Sequence, residues 1–153
     1  MAKLQAKSQS SLEYLLVVAI SLAIFVPTTY LFFNYSKDSS QDLSDAQLTE
    51  IGRTIIDTAE SIYYTGEGSK TVLELSLPDN VRSAVIIDSK ELVFNISSNF
   101  GISELVFISK VNITTLPANC NGNVCNLPEL GSGGVKRIKI TATTSDYTTI
   151  ETV

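Results

Sequence analysis

A chain of 153 residues, 44% of them hydrophobic, with a net charge of −5 and a pI near 4.6, has room for one modest domain and an appendage. The acidic balance and the lack of a basic stripe exclude the counterion-driven binding that nucleic acid demands. Histidine is absent, so His-based catalysis and His-ligated metal sites are excluded too.

The first element in chain order is a polar, basic leader, residues 1–8, carrying Lys3 and Lys7. An apolar run follows at once, and Leu15 to Phe33 are 19 residues without a formal charge. As a helix that stretch is about 28 Å long, near the hydrocarbon thickness of a bilayer. Lysine precedes the run, while Asp38, Asp42 and Asp45 follow it with Lys37. That bias predicts an N-terminus on the cytoplasmic side and the rest of the chain outside. A secretory signal has an apolar region of about 7–15 residues closed by a small-residue cleavage site. This run is longer and lacks such a site, which leaves a permanent single-span anchor as the plain alternative. Glu13 stands at the edge of the run, where a carboxylate costs roughly 2–3 kcal/mol at the bilayer centre and less near the interface. Favourable interaction with the N-terminal end of the helix dipole is one account of it. Pairing with a partner is another.

The residues at the mouth of the run read Gln9-Ser10-Ser11-Leu12-Glu13-Tyr14. This resembles the Q-x-S-x-E-Y/L motif of the class III signal peptides of archaeal type IV pilin-like proteins, closely from Lys7 to about Phe33 and only in architecture beyond. The resemblance implies cleavage by a membrane prepilin peptidase between Ser8 and Gln9, so that Gln9 becomes the first residue of the mature chain and Glu13 the fifth. It implies a register role for Glu13 against the new amine at Gln9 of a neighbouring copy. It further implies an assembly ATPase, a membrane platform protein, a helical homopolymer outside the cell, and adhesion as its use. Breaking a buried ion pair costs roughly 3–5 kcal/mol, whereas forming one stabilises little, so the pair would set register more than strength. Pro27 removes one backbone donor inside the run and predicts a kink or loosening near Ala23 to Pro27. In bacterial type IV pilins a proline here often marks a stretch that melts in the filament.

Tyr30, Phe32, Phe33 and Tyr35 place aromatic rings where the run meets the outer interface. From about Asp42 to Tyr64, Leu43, Leu48, Ile51, Ile55, Ala59 and Ile62 recur at helical steps, with Asp45, Glu50, Asp57 and Glu60 on other faces. Neither glycine nor proline interrupts the join. One helix from about Ser10 to Tyr64 is therefore expected, broken at Thr65-Gly66-Glu67-Gly68, with its second half covered by a sheet.

Beyond Gly68 the period changes to two. Leu73, Leu75 and Leu77 alternate, Pro78-Asp79-Asn80 turns, Ala84 to Asp88 follows, and Leu92, Phe94 and Ile96 alternate again before a turn at Asn99 and Gly101. Glu104 to Lys110 is a nearly continuous apolar strand; Val111, Ile113 and Thr115 extend or follow it. A loop spans Pro117 to Gly134, then Ile138, Ile140 and Ala142 form a late strand with which Tyr147 to Thr152 is placed to pair. The expected fold is α+β: a long N-terminal helix, residues 9–66, packed on an antiparallel sheet of four to six strands with one wet face, residues 67–153.

Cys120 and Cys125 bracket an Asn/Gly turn and are suited to a local disulfide; with no other Cys or His, no metal site and no cofactor is expected. Three N-glycosylation sequons begin at Asn34, Asn95 and Asn112. Alternation sends Asn95 and Asn112 to the face opposite Phe94, Ile96, Val111 and Ile113, which suits glycans added by an oligosaccharyltransferase. No catalytic constellation stands out. The expected role is a structural filament subunit, inserted in the membrane as a precursor. A monomeric membrane-anchored binding protein and a minor pilin remain as alternatives.

Overall fold

The computed structural model describes residues 2–98, 101–143 and 146–152, without the side chains of residues 2–11 and 37–40. Helix α1 runs from Ala2 to Thr65. Nine strands follow among the described residues: β1 (Lys70–Leu77), β2 (Val81–Ile87), β3 (Glu91–Ser98), β4 (Gly101–Ile108), β5 (Asn112–Thr114), β6 (Cys120–Asn121), β7 (Val124–Asn126), β8 (Gly134–Ala142) and β9 (Tyr147–Thr152). The chain divides into two compact units, 1–42 and 43–153.

Within the first unit α1 is apolar all round, and its described side chains from Leu12 to Ser36 are exposed, apart from the half-exposed Val18. The stretch is long and apolar enough to cross a membrane. Helix begins already at Ala2, well before the expected start near Ser10, so the leader continues the same helix. It also runs unbroken through Pro27. Proline leaves the Ala23 carbonyl without its usual donor. Nearby hydroxyls fold back on the helix: Ser21 Oγ donates to the Val17 carbonyl (2.8 Å), Thr28 Oγ1 to Ile24 (2.7 Å) and Thr29 Oγ1 to Phe25 (2.7 Å). Hydroxyls satisfied within their own helix are compatible with hydrocarbon around them.

In the second unit the amphipathic half of α1 meets two sheets. One has strand order β1-β8-β9-β5, the other β4-β3-β2-β7-β6. The single antiparallel sheet of four to six strands expected from the sequence is thus corrected to nine strands in two sheets, and one pair, β5 with β9, is parallel. Every other pairing is antiparallel. Alternation is as read: Leu75 and Leu77, Ala84 and Ile86, Leu92, Phe94 and Ile96, and Ile138 and Ile140 turn into one core with Leu48, Ile55 and Ala59 of α1. The stripe does not include Leu43, which is 70% exposed. The sheet layer begins one turn later, where Gln47 Nε2 donates to the Ser76 carbonyl (2.7 Å). Gly52 lies on the stripe too; a Cβ there would fall 2.3 Å from Phe107 Cε2, so α1 approaches β4 only because that side chain is missing. The helix ends at Thr65, and Gly66 (φ +112°) turns the chain out of it.

The expected loop from Pro117 to Gly134 contains the β6–β7 hairpin between two short 3-10 turns, Pro117–Asn119 and Pro128–Gly131. Buried Leu127 and Leu130 pin this excursion to the core. The apolar strand read from Glu104 to Lys110 is β4, shifted to Gly101–Ile108, with Gly101 its first residue; Asn99 lies outside the described residues.

Candidate functional site: the N-terminal helix and the head it carries

The bond between Ser8 and Gln9 lies inside α1, and positions 9 and 13 are one helical turn apart on one face. Beyond the backbone, nothing is described at Ser8 or Gln9. Glu13 is exposed, beside a shallow apolar depression formed with Leu12, Leu16 and Val17. Asn34 is exposed on the same helix. Exposed apolar side chains surround Glu13 for several turns; Leu15, Leu16, Leu22, Ile24 and Phe25 are all more than half accessible. A carboxylate within such a surface has one chemical use when water is removed, which is to find a cation or a donor.

Within the head, Asn95 and Asn112 occupy the faces that alternation assigns, but both are half-buried. Asn95 stands opposite Ser83 of β2, and its Nδ2 donates to Ser83 Oγ (2.8 Å). That nitrogen is the atom a glycan would be attached to, so modification replaces one of its two hydrogens and competes with the bond to Ser83. Cys120 and Cys125 form a disulfide, directly opposite each other in the β6–β7 register. Gly122 has φ +61° at the first central position of the hairpin turn, where a primed turn requires a positive φ. Asn123 Nδ2 then donates to Asp88 Oδ1 (2.8 Å), and the Asp88 N–H donates to the Asn123 carbonyl (2.9 Å), binding the hairpin tip to the β2–β3 turn.

The sequence reading missed a polar clamp between α1 and the sheets. Both oxygens of Glu60 are taken by one residue: the Lys110 N–H donates to Oε1 (3.0 Å), and Lys110 Nζ lies 3.3 Å from Oε2. The Glu60 carboxyl is held below its ordinary value chiefly by that backbone hydrogen bond, against desolvation, which pushes the other way. The corner is further tied by Lys90 Nζ donating to the Lys110 carbonyl (3.0 Å) and the Ser109 N–H donating to the Lys90 carbonyl (2.7 Å). A turn farther along α1, Tyr63 donates to Asp146, which pushes the tyrosine pKa up. Helical period places Glu60 only off the apolar stripe. Its partner is 50 positions away, and helical period says nothing of that. Among the described residues no group of His, Cys, Asp and Glu side chains is placed to hold a metal ion.

No protein-family model, no curated protein and no solved structure matches this chain.

Proposed function

We propose that the chain is the structural subunit of an extracellular filament of the archaeal type IV pilus kind. The precursor inserts with its N-terminus in the cytoplasm, and a prepilin peptidase cuts it between Ser8 and Gln9. The observation that carries this reading is the coincidence of Gln9-Ser10-Ser11-Leu12-Glu13-Tyr14 with a helix whose large apolar side chains from Leu12 to Phe33 are exposed. Cleavage removes Lys3 and Lys7 and leaves an ammonium at Gln9. Glu13 of an entering subunit then pairs with that ammonium on its neighbour and sets the axial register. Because the scissile bond lies within helical backbone, the peptidase must first unwind α1 around Ser8 and Gln9. An assembly ATPase and a membrane platform protein drive extraction. The heads form the outer wall, glycosylated at Asn95, Asn112 or both, and the filament serves attachment.

The test is mass spectrometry of the N-terminus, on wild type and Glu13→Ala, in membrane and sheared-fibre fractions. Wild type is expected to begin at Gln9 and to sediment with fibres. Glu13→Ala is expected to be clipped normally yet to stay in the membrane. Recovery of intact Met1 or Ala2 on dispersed membrane monomers would replace this proposal with a simple anchored binding protein. Normal fibre yield from Glu13→Ala would refute the register role.

A further inference from the structure

Strand β4 is the outermost strand of its sheet. Its eight residues pair with β3 in an uninterrupted register, from Gly101 opposite Ser98 to Ile108 opposite Glu91. In that ladder the Ser109 N–H donates to the Lys90 carbonyl. In antiparallel pairing alternate residues turn both backbone groups to the same side. Residues 103, 105 and 107 therefore face β3, and the N–H and C=O groups of Ile102, Glu104, Val106 and Ile108 face outward. Their side chains lie on the face away from the core: Ile102 is 77% exposed, Ile108 73% and Val106 49%. Soluble domains blunt such edges with lysine, proline, a bulge or a very short strand. β4 has no lysine, proline or bulge and is eight residues long; the charge among its outward-facing residues is the exposed Glu104. The other sheet edges are blunted: β6 has two residues and β5 three, while β1 carries exposed Lys70 and Glu74 and has its Ser76 carbonyl taken by Gln47.

We propose that β4 is a self-pairing edge, and that its occupant is β4 of a second copy of this chain, antiparallel about a two-fold axis at Leu105. The four outward-facing residues are centred on Leu105, so this register pairs all of them. Ile102 meets Ile108 of the second copy and Glu104 meets Val106, each twice, giving about eight new backbone hydrogen bonds. A register centred on Glu104 would set two carboxylates directly opposite, which disfavours it. The chosen register covers both exposed isoleucines. It also brings Leu105 of the second copy to the groove of roughly 500 Å³ that runs between β4 and α1, beside Ile56 and Phe107. A two-fold contact cannot recur along a polar screw-symmetric fibre, so this interface is separate from the one that would build the filament and does not rest on the proposed function.

The test is residue-resolved amide hydrogen exchange on the full chain in detergent micelles, at low and high protein-to-micelle ratio. The amides of Ile102, Glu104, Val106 and Ile108 are expected to slow by about tenfold or more as the ratio rises, alongside a dimer mass. Val106→Pro removes an outward-facing N–H and is tolerated on an edge strand, so the fold should persist while dimerisation weakens roughly 30-fold or more. I102K/I108K leaves the backbone intact and should also yield monomers. Dimers whose edge amides still exchange fast would place association in the apolar helix and overturn the proposal. So would wild-type dimerisation by both variants, or edge protection that ignores the chain's own concentration.

Discussion

Substituting Gly52 by alanine pits two effects of opposite sign against each other. Alanine is about 1 kcal/mol better than glycine inside a helix. Against that, the new methyl would lie 2.3–2.6 Å from three atoms of the Phe107 ring. Phe107 cannot swing away freely, because its ring is in edge contact with the fully buried Phe94, centroids 6.2 Å apart. Overpacking of this kind costs typically 1–3 kcal/mol, with the severe overlap favouring the upper half. Gly52→Ala should therefore destabilise the head by about 1–2 kcal/mol net. Phe107→Ala alone should cost about 2 kcal/mol, less than the 3–5 of a fully buried phenylalanine because the ring is half-exposed. With the ring gone the clash is gone, and Gly52→Ala made in the Phe107→Ala background should stabilise by about 1 kcal/mol. The measurement is urea unfolding of the full chain in mild detergent, followed by the tyrosine near-UV dichroism of a tryptophan-free protein. A reversal of sign between the two backgrounds amounts to a coupling of about 2–3 kcal/mol. If Gly52→Ala stabilises the wild type, the contact between α1 and β4 is looser than described and the packing argument fails.

Three further outcomes follow from the polar contacts. Glu60→Gln should cost about 1–2 kcal/mol at neutral pH, since Glu60 accepts charge-assisted hydrogen bonds from Lys110. The Glu60 pKa is lower folded than unfolded, so its contribution is present above the ordinary carboxyl range and lost as pH falls through the lowered value; the stability gap between wild type and Glu60→Gln should close on acidification, and a gap unchanged by pH would contradict the assignment. Replacing Cys120 and Cys125 together by serine opens a very short loop and should lower stability by about 2 kcal/mol, read as a lower urea midpoint at unchanged slope. Glycan occupancy measured by peptide mass spectrometry should be lower at Asn95 than at Asn112, and Ser83→Ala should raise it at Asn95 by releasing Nδ2; an unchanged ratio would mean that the Asn95–Ser83 bond does not limit modification.

What could be read in advance was whatever is written locally in the chain. The helix to Thr65, its glycine stop, the alternation in β1, β3 and β8, and the cysteine-bracketed turn all depend on residues within a few positions of one another. The candidate processing segment, contiguous from Ser8 to Glu13, is local in the same sense and awaits the N-terminal mass measurement. Legibility failed wherever the partner is far along the chain. Period two says that Ile102, Val106 and Ile108 share a face, but not that β4 would be the outermost strand of its sheet. The parallel pairing of β5 with β9 joins residues about 35 positions apart. Leu43 fits the helical stripe as well as Leu48 does, yet only Leu48 has a sheet over it. Asn95 was placed on the correct face, while its bond to Ser83 needed the register across β2 and β3.

The two halves of α1 ask for different surroundings, which narrows what the first can be doing. From Leu48 onward the apolar stripe of α1 is buried against the sheets, with Leu48, Ile51, Ile55 and Ala59 in the core. From Leu12 to Phe33 about a dozen large apolar side chains are exposed. At roughly 1.5–3 kcal/mol for each such side chain, leaving this surface in water costs on the order of 20 kcal/mol or more, beyond the whole stability of a typical domain. Water is therefore the wrong medium, and lipid and other protein are the remaining choices. Between those two, hydrophobicity cannot decide, because lipid tails are as apolar as leucine. What decides is the polar remainder. Ser21, Thr28 and Thr29 are satisfied inside their own helix and are indifferent to the exchange. Glu13 stands exposed at the edge of that surface, and on the proposed filament reading a cation on a protein neighbour gives it what lipid withholds. On that proposed reading the choice of self-assembly over a solitary span comes down to one carboxylate, which is why Glu13→Ala, unlike any change among the surrounding leucines, is expected to leave the helix in the membrane.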